Sequence, residues 1–113
     1  MFAGKEVRIL LKGQAKEAYL NLKQRNDKEA KTLLNSFNRV KEILKNNPMY
    51  GDPIRKGLIP LELKKIGIKN LYRVELSNYW RMLYTLEGNE VDIFLFVLNI
   101  VDHKQYDKMF KYK

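Results

Sequence analysis

The first residues with a clear pattern are "VRILLKG", where Val7, Ile9 and Leu11 alternate with Arg8 and Lys12. A period of two predicts a strand that ends at Gly13. From Gln14 the spacing becomes helical, with Ala15, Ala18, Tyr19 and Leu22 on one face. "QRND" interrupts it. Asp27 then stands as a candidate N-cap for a longer helix, whose apolar stripe runs Ala30, Leu33, Leu34, Phe37, Val40, Ile43 and Leu44. That helix is expected to stop at "NNP", because Pro48 disfavours helical geometry at Asn47. Residues 47–70 hold all three prolines and three of the six glycines. They read as a long basic connection with one helical turn near Leu61–Lys65, and a connection of that length is usually functional or mobile.

The rest reads as strands. "NLYRVEL" and "YWRMLYTLEG" alternate, and "EVDIFLFVLNI" is almost continuously apolar. A short loop at 77–79 sets Leu76 opposite Trp80, Val74 opposite Met82 and Tyr72 opposite Tyr84. Gly88–Asn89 suits a two-residue turn. That turn sets Leu86 opposite Val91, Tyr84 opposite Ile93, Met82 opposite Leu95 and Trp80 opposite Val97. These residues form one apolar and aromatic face, where the helices are expected to pack. The other face carries Arg73, Glu75, Arg81, Thr85 and Asp92 with Leu83, Phe94 and Phe96, so Arg73 and Arg81 share it. In "VDHKQYDKMF" Asp102 is a good N-cap, Gln105 completes a capping box, and His103 and Tyr106 lie one helical turn apart. The expected fold is α+β in the order β-α-α-β-β-β-α. An antiparallel sheet of about four strands carries two N-terminal helices on one face and a short C-terminal helix.

Composition narrows the chemistry. A chain of 113 residues fits one domain, 1–113, with a single core. There is no cysteine and one histidine, which excludes disulfides and thiol catalysis and leaves no basis for a zinc site, so neither a metal nor a cofactor is expected. No apolar run approaches the length of about eighteen residues that spans a bilayer, and the N-terminal stretch lacks a cleavage pattern. A cytoplasmic protein without membrane contact is expected. The net charge is +9, from 22 basic and 13 acidic residues. From residue 55 to 81, Arg55, Lys56, Lys64, Lys65, Lys69, Arg73 and Arg81 stand against Glu62 and Glu75, a local excess of +5. Such a concentration favours an anionic partner: nucleic acid, an acidic protein segment or a membrane surface.

"NLYRVEL", "YWRMLYTLEG" and "VDHKQYDKMF", in this order, resemble the RelE/ParE superfamily of toxins from type II toxin–antitoxin systems. The motifs cover residues 71–110, and the order of elements covers nearly the whole chain. In the RelE-like branch such toxins cleave messenger RNA, commonly in the ribosomal A site, without a metal. The ribose 2′-OH attacks the adjacent phosphate, so a base must take its proton, an acid must protonate the leaving 5′-oxygen, and cations must stabilise the phosphorus oxygens. The resemblance implies catalytic roles for Arg73, Arg81, His103, Lys104 and Tyr106, RNA contacts from Arg55, Lys56, Lys64, Lys65 and Lys69, and a cognate antitoxin as partner. Glu75 departs from it, standing where ribosome-dependent members have a second lysine. A carboxylate there removes a phosphate-binding cation and can pair with Arg81.

Each candidate also has a plainer role: His103 as an exposed helix-start residue, Tyr106 with Met109 and Phe110 as a docking stripe, Arg81 as a partner of Glu75. Trp80 and Tyr84 are assigned to the core. Two other functions remain open, a ParE-like inhibitor of DNA gyrase and a non-catalytic RNA- or antitoxin-binding relative. The histidine and tyrosine favour the nuclease, and Glu75 favours the non-catalytic protein. One active site requires the chain to turn after Ile100 and bring the last helix back over the polar sheet face. There it would set His103 and Tyr106 near Arg81 and cover Phe94 and Phe96.

Overall fold

The computed structural model describes residues 1–110. Strand β1 (Glu6–Leu11) leads into helices α1 (Gly13–Gln24) and α2 (Lys28–Asn46). A two-residue strand β2 (Asp52–Pro53) and a short helix α3 (Leu61–Lys65) follow. Then come β3 (Tyr72–Glu75), β4 (Arg81–Gly88), β5 (Asp92–Val101) and helix α4 (His103–Met109). The α+β architecture and the order of its main elements are those expected from the sequence. Among the described residues the sheet has five strands in the order β1-β5-β4-β3-β2, β2 being the addition. It is also mixed, because β1 runs parallel to β5. The α1–α2 pair carries the chain from β1 at one edge of the sheet to β2 at the other.

The turn from β1 into α1 depends on Gly13, whose φ of +51° lets the strand pass directly into helix. Where β1 ends, Gln14 continues its edge. The Gln14 side chain donates to the Ile100 carbonyl at 3.0 Å and accepts from the Ile100 N–H at 2.8 Å. Asp27 stands at the N-cap of α2 but makes no capping bond. Its carboxylate is bound instead by the Arg25 guanidinium, 3.1 Å from Nε, which holds it below the usual carboxylate range. At α4 the capping box is complete, with the Gln105 N–H donating to Asp102 at 2.8 Å and the Asp102 N–H donating to Gln105 at 3.1 Å.

The β3–β4 register is the expected one, with Tyr72 opposite Tyr84, Val74 opposite Met82 and Glu75 opposite Arg81. The β4–β5 register is not. Gly88 pairs with Ile93, Leu86 with Leu95 and Tyr84 with Val97, a shift of four residues from the expected pairing. The cause is Asn89, whose side-chain oxygen accepts from the N–H groups of Val91 (2.8 Å) and Asp92 (2.7 Å) and so builds a longer turn. An even shift keeps the same residues on each face. A bulge at Leu98 then adds one residue, so that Met82 pairs with Ile100 and Arg81 with Val101.

Two apolar layers result. On one face, Ala15, Leu22, Leu33, Phe37 and Leu44 of the helices bury Met82, Tyr84, Leu95, Val97 and Ile100. On the other, Leu83 and Leu98 are covered by Ile59, Leu63 and Leu71 of the long connection and by Phe110. Alternation places Leu98 in this second layer with Phe96, and the bulge turns Ile100 back to the helix side. The connection is therefore a structural cover as well as a basic surface. It is fastened by Tyr84, whose hydroxyl donates to the Pro48 carbonyl at 2.7 Å and accepts from the Gly51 N–H at 2.9 Å. A Cβ at Gly51 would lie 2.8 Å from that hydroxyl, so the close approach needs glycine.

Candidate active site

Arg73 and Arg81 lie on the same sheet face, as the alternation of β3 and β4 requires, and both meet Tyr106 of α4. Arg73 Nη1 donates to the Tyr106 hydroxyl oxygen at 3.3 Å. The Arg81 guanidinium carbon lies 4.8 Å from the centre of the Tyr106 ring, and that of Arg73 lies 5.9 Å from it. The approach of α4 follows from the corrected register. Arg81 pairs with Val101, two residues before His103, so the strand overshoots far less than the expected pairing implied. The tyrosine is anchored by packing its ring on Phe110 at 4.6 Å, so it docks the helix and presents its hydroxyl at once.

Each arginine is shared with an exposed carboxylate. Arg73 Nη2 reaches Asp52 at 3.4 Å, and Arg81 Nη2 reaches Glu75 at 3.8 Å. Arg81 Nη1 also donates to the Tyr79 carbonyl at 2.9 Å. Both Nε atoms are buried and have no hydrogen-bond partner among the described residues. The hydrogen bond to Tyr106 is the main reason the Arg73 guanidinium holds its proton above the ordinary arginine range, with Asp52 contributing less. An open cleft of about 620 Å³ adjoins this group, lined by Arg55, Arg73, Tyr106, Asp52, Asp107 and Phe110 among others. The Arg55 and Arg73 guanidinium groups and the Tyr106 phenol at its wall can bind a phosphodiester and exchange a proton with it, while Arg81 meets the Tyr106 ring without lining the cleft.

The structure does not bring all the expected residues into that cleft. His103 and Lys104 are exposed at the start of α4 and line a second groove with Arg25, Glu29, Asn78, Trp80, Asp102 and Gln105. The His103 ring meets Tyr79 edge-on, 6.2 Å between centres. Tyr79 is thus the link between the two groups, through its carbonyl to Arg81 and its ring to His103. Of the candidate RNA contacts, Arg55 lines the main cleft, and Lys56, Lys64 and Lys69 surround a depression over Ile59 and Ile68. Lys65 is exposed on α3 and lines neither. Phe96 packs partly against the second apolar layer, while Phe94 stacks on Phe96 at 6.1 Å. Trp80 is half-buried against the helix-side core, and Tyr84 is fully buried, as expected.

Sequence reasoning missed Asp52 and Tyr79. Asp52 carried no signal, since its position opposite Arg73 depends on an unforeseen two-residue strand. Tyr79 did carry one, because the same alternation that turns Trp80 inward leaves its neighbour outside.

No protein-family model matches the sequence, and no curated protein matches it. Among solved structures, the chain is similar to a YoeB/ParE toxin from Agrobacterium tumefaciens, with a TM-score of 0.59 over 85% of this chain and 98% of that one. The fold is that of a RelE/ParE-type toxin. At 14% identity the likeness is one of backbone, and it bears out the fold that the three sequence motifs implied. Among the described residues no helix is long and apolar enough to cross a membrane.

Proposed function

We propose that this chain is the toxin of a type II toxin–antitoxin pair and acts in the cytoplasm as a metal-independent endoribonuclease on messenger RNA. The observation that carries the reading is the convergence of Arg73 and Arg81 on Tyr106. In this mechanism the 2′-oxygen of one ribose attacks the adjacent phosphorus. The P–O5′ bond breaks, and a 2′,3′-cyclic phosphate is left. Arg73 and Arg81 hold the phosphate oxygens as charge builds on them. Because Arg73 donates to the Tyr106 oxygen, the phenolic proton is free to pass to the departing 5′-oxygen. His103 begins the turn before Tyr106, about 4.5 Å along the helix axis, and is the candidate base for the 2′-OH. Lys104 adds charge beside it, and the basic connection from Arg55 to Lys69 receives the flanking RNA. An acidic antitoxin segment docking on that same surface would hold the toxin inactive, in a complex that weakens as salt rises.

A second reading, a binding protein without catalysis, is favoured by the two carboxylates that already occupy the arginines. Primer extension on total RNA after induced expression separates the two. Discrete new 5′ ends are expected for the wild type, and His103→Ala and Tyr106→Phe are each expected to reduce cleavage about 10²-fold with the fold intact. Growth arrest without new ends, accompanied by inhibited DNA supercoiling, would replace the nuclease with a gyrase inhibitor. Undiminished arrest by the double variant would remove both residues from the mechanism.

A further inference from the structure

The turn between β3 and β4 holds two consecutive non-glycine residues in the left-handed region, Asn78 at φ 56° and Tyr79 at φ 63°. Asparagine tolerates this conformation; tyrosine rarely adopts it. Burial of the side chain does not explain it, because Tyr79 is 75% exposed, the highest value among the exposed large apolar side chains of the described residues. Main-chain bonds hold it instead. The Leu76 N–H donates to the Trp80 carbonyl at 2.7 Å, the Trp80 N–H to the Ser77 carbonyl at 3.2 Å, and the Ser77 N–H to the buried Ser36 hydroxyl at 3.0 Å. The Arg81 guanidinium fastens the Tyr79 carbonyl itself. A strained residue whose ring stays in solvent, while the turn around it is held by several bonds and its own carbonyl by one, fits a functional position.

The surroundings define what the ring can receive. His103 supports one edge of it, and the groove of about 480 Å³ lined by His103, Lys104, Trp80 and Asn78 lies alongside. Lys104 makes no ion pair among the described residues. The two carboxylates bordering this groove are engaged, Glu29 by Arg25 and Asp102 by the Gln105 N–H. On its other side Tyr79 connects through Arg81 to Tyr106.

We infer that Tyr79 is a stacking platform for an unpaired base of single-stranded RNA, placed next to the phosphate that Arg81 holds. Resting on the RNA reading of the site, this inference adds a base-binding position outside the phosphate cleft. An exposed aromatic face beside cations takes any base, because every base has a π-face to stack. The site therefore contributes affinity and orientation of the ribose more than sequence choice.

The test is fluorescence anisotropy with a fluorescein-labelled oligouridylate whose riboses are 2′-O-methylated and cannot be cut. Tyr79→Phe is expected to bind as the wild type does. Tyr79→Gly and Tyr79→Ala are expected to weaken binding about tenfold or more. The glycine variant is also expected to melt at a higher temperature, because it accepts a positive φ without strain. Stability and affinity then move in opposite directions, which a merely structural tyrosine would not produce. On an otherwise identical abasic strand, wild type and Tyr79→Gly are expected to bind alike. Unchanged affinity in the glycine and alanine variants, or an equal loss on the abasic strand, overturns the platform and leaves the nuclease reading standing. A wild type that binds no RNA overturns both.

Discussion

The two faces of the sheet are built on different terms. The face under α1 and α2 is sealed by apolar side chains throughout, and its polar groups, such as the hydroxyls of Tyr84 and Ser36, bind main-chain atoms. The face under α4 has a smaller apolar layer, made from loop residues and one helix end, and it stops at a pair of arginines. Those arginines keep buried Nε atoms without partners among the described residues and share their outer nitrogens with exposed carboxylates. Hydrophobic burial is non-directional, so the first face gains stability from almost any close packing. Half-satisfied guanidinium groups are costly to bury unless a ligand completes them. The difference teaches where the molecule stores stability and where it holds binding capacity, and the loop joining the two faces is fastened by Tyr84 and Gly51.

Substitutions can break or sharpen this division. The largest effect is expected at Phe37, buried in the helix layer. Phe37→Ala is expected to cost about 3–5 kcal/mol in urea unfolding, and a loss below about 1 kcal/mol would mean that the helix layer is not the main clamp. Tyr84→Phe is expected to cost about 1–3 kcal/mol, since it strips partners from the Gly51 N–H and the Pro48 carbonyl. Burial pushes the Tyr84 phenol up from 10.0 to about 12. Between those values the unfolded chain has released this proton and the folded chain has not, so this contribution to stability is full below pH 10 and falls as pH rises toward 12. The variant is expected to lose less stability over that interval than the wild type, and identical pH profiles would contradict the assignment. The smallest effect is expected at Glu75, whose side chain is 67% exposed. Glu75→Gln is expected to change stability by less than about 0.5 kcal/mol while tightening RNA binding at low salt. Weaker binding would show that Glu75 positions Arg81 productively and does not compete with the phosphate.

What was legible in the sequence follows how local each interaction is. The capping box of α4, the end of α2 at Pro48 and the β3–β4 register each depend on residues a few positions apart, and each appeared where expected. Strand alternation also put Arg73 and Arg81 on one face. The Gly88–Asn89 turn was misread because a local signal for a tight hairpin competed with one for an Asn-capped turn. The second kept two more amides bonded.

By itself, then, the sequence determined the helices, the strands, the apolar face and the basic connection, because periodicity, capping residues and charge are written in neighbouring positions. Only the tertiary structure decided that β1 lies parallel to β5, that Leu98 bulges and that residues 54–71 cover the second face. It alone also decided that Tyr106 reaches both arginines while His103 meets Tyr79. These are pairings between distant parts of the chain. Their geometry is set by the sum of packing across the sheet, in which a shift of four or five residues in one strand changes which side chains meet and alters nothing in the local pattern.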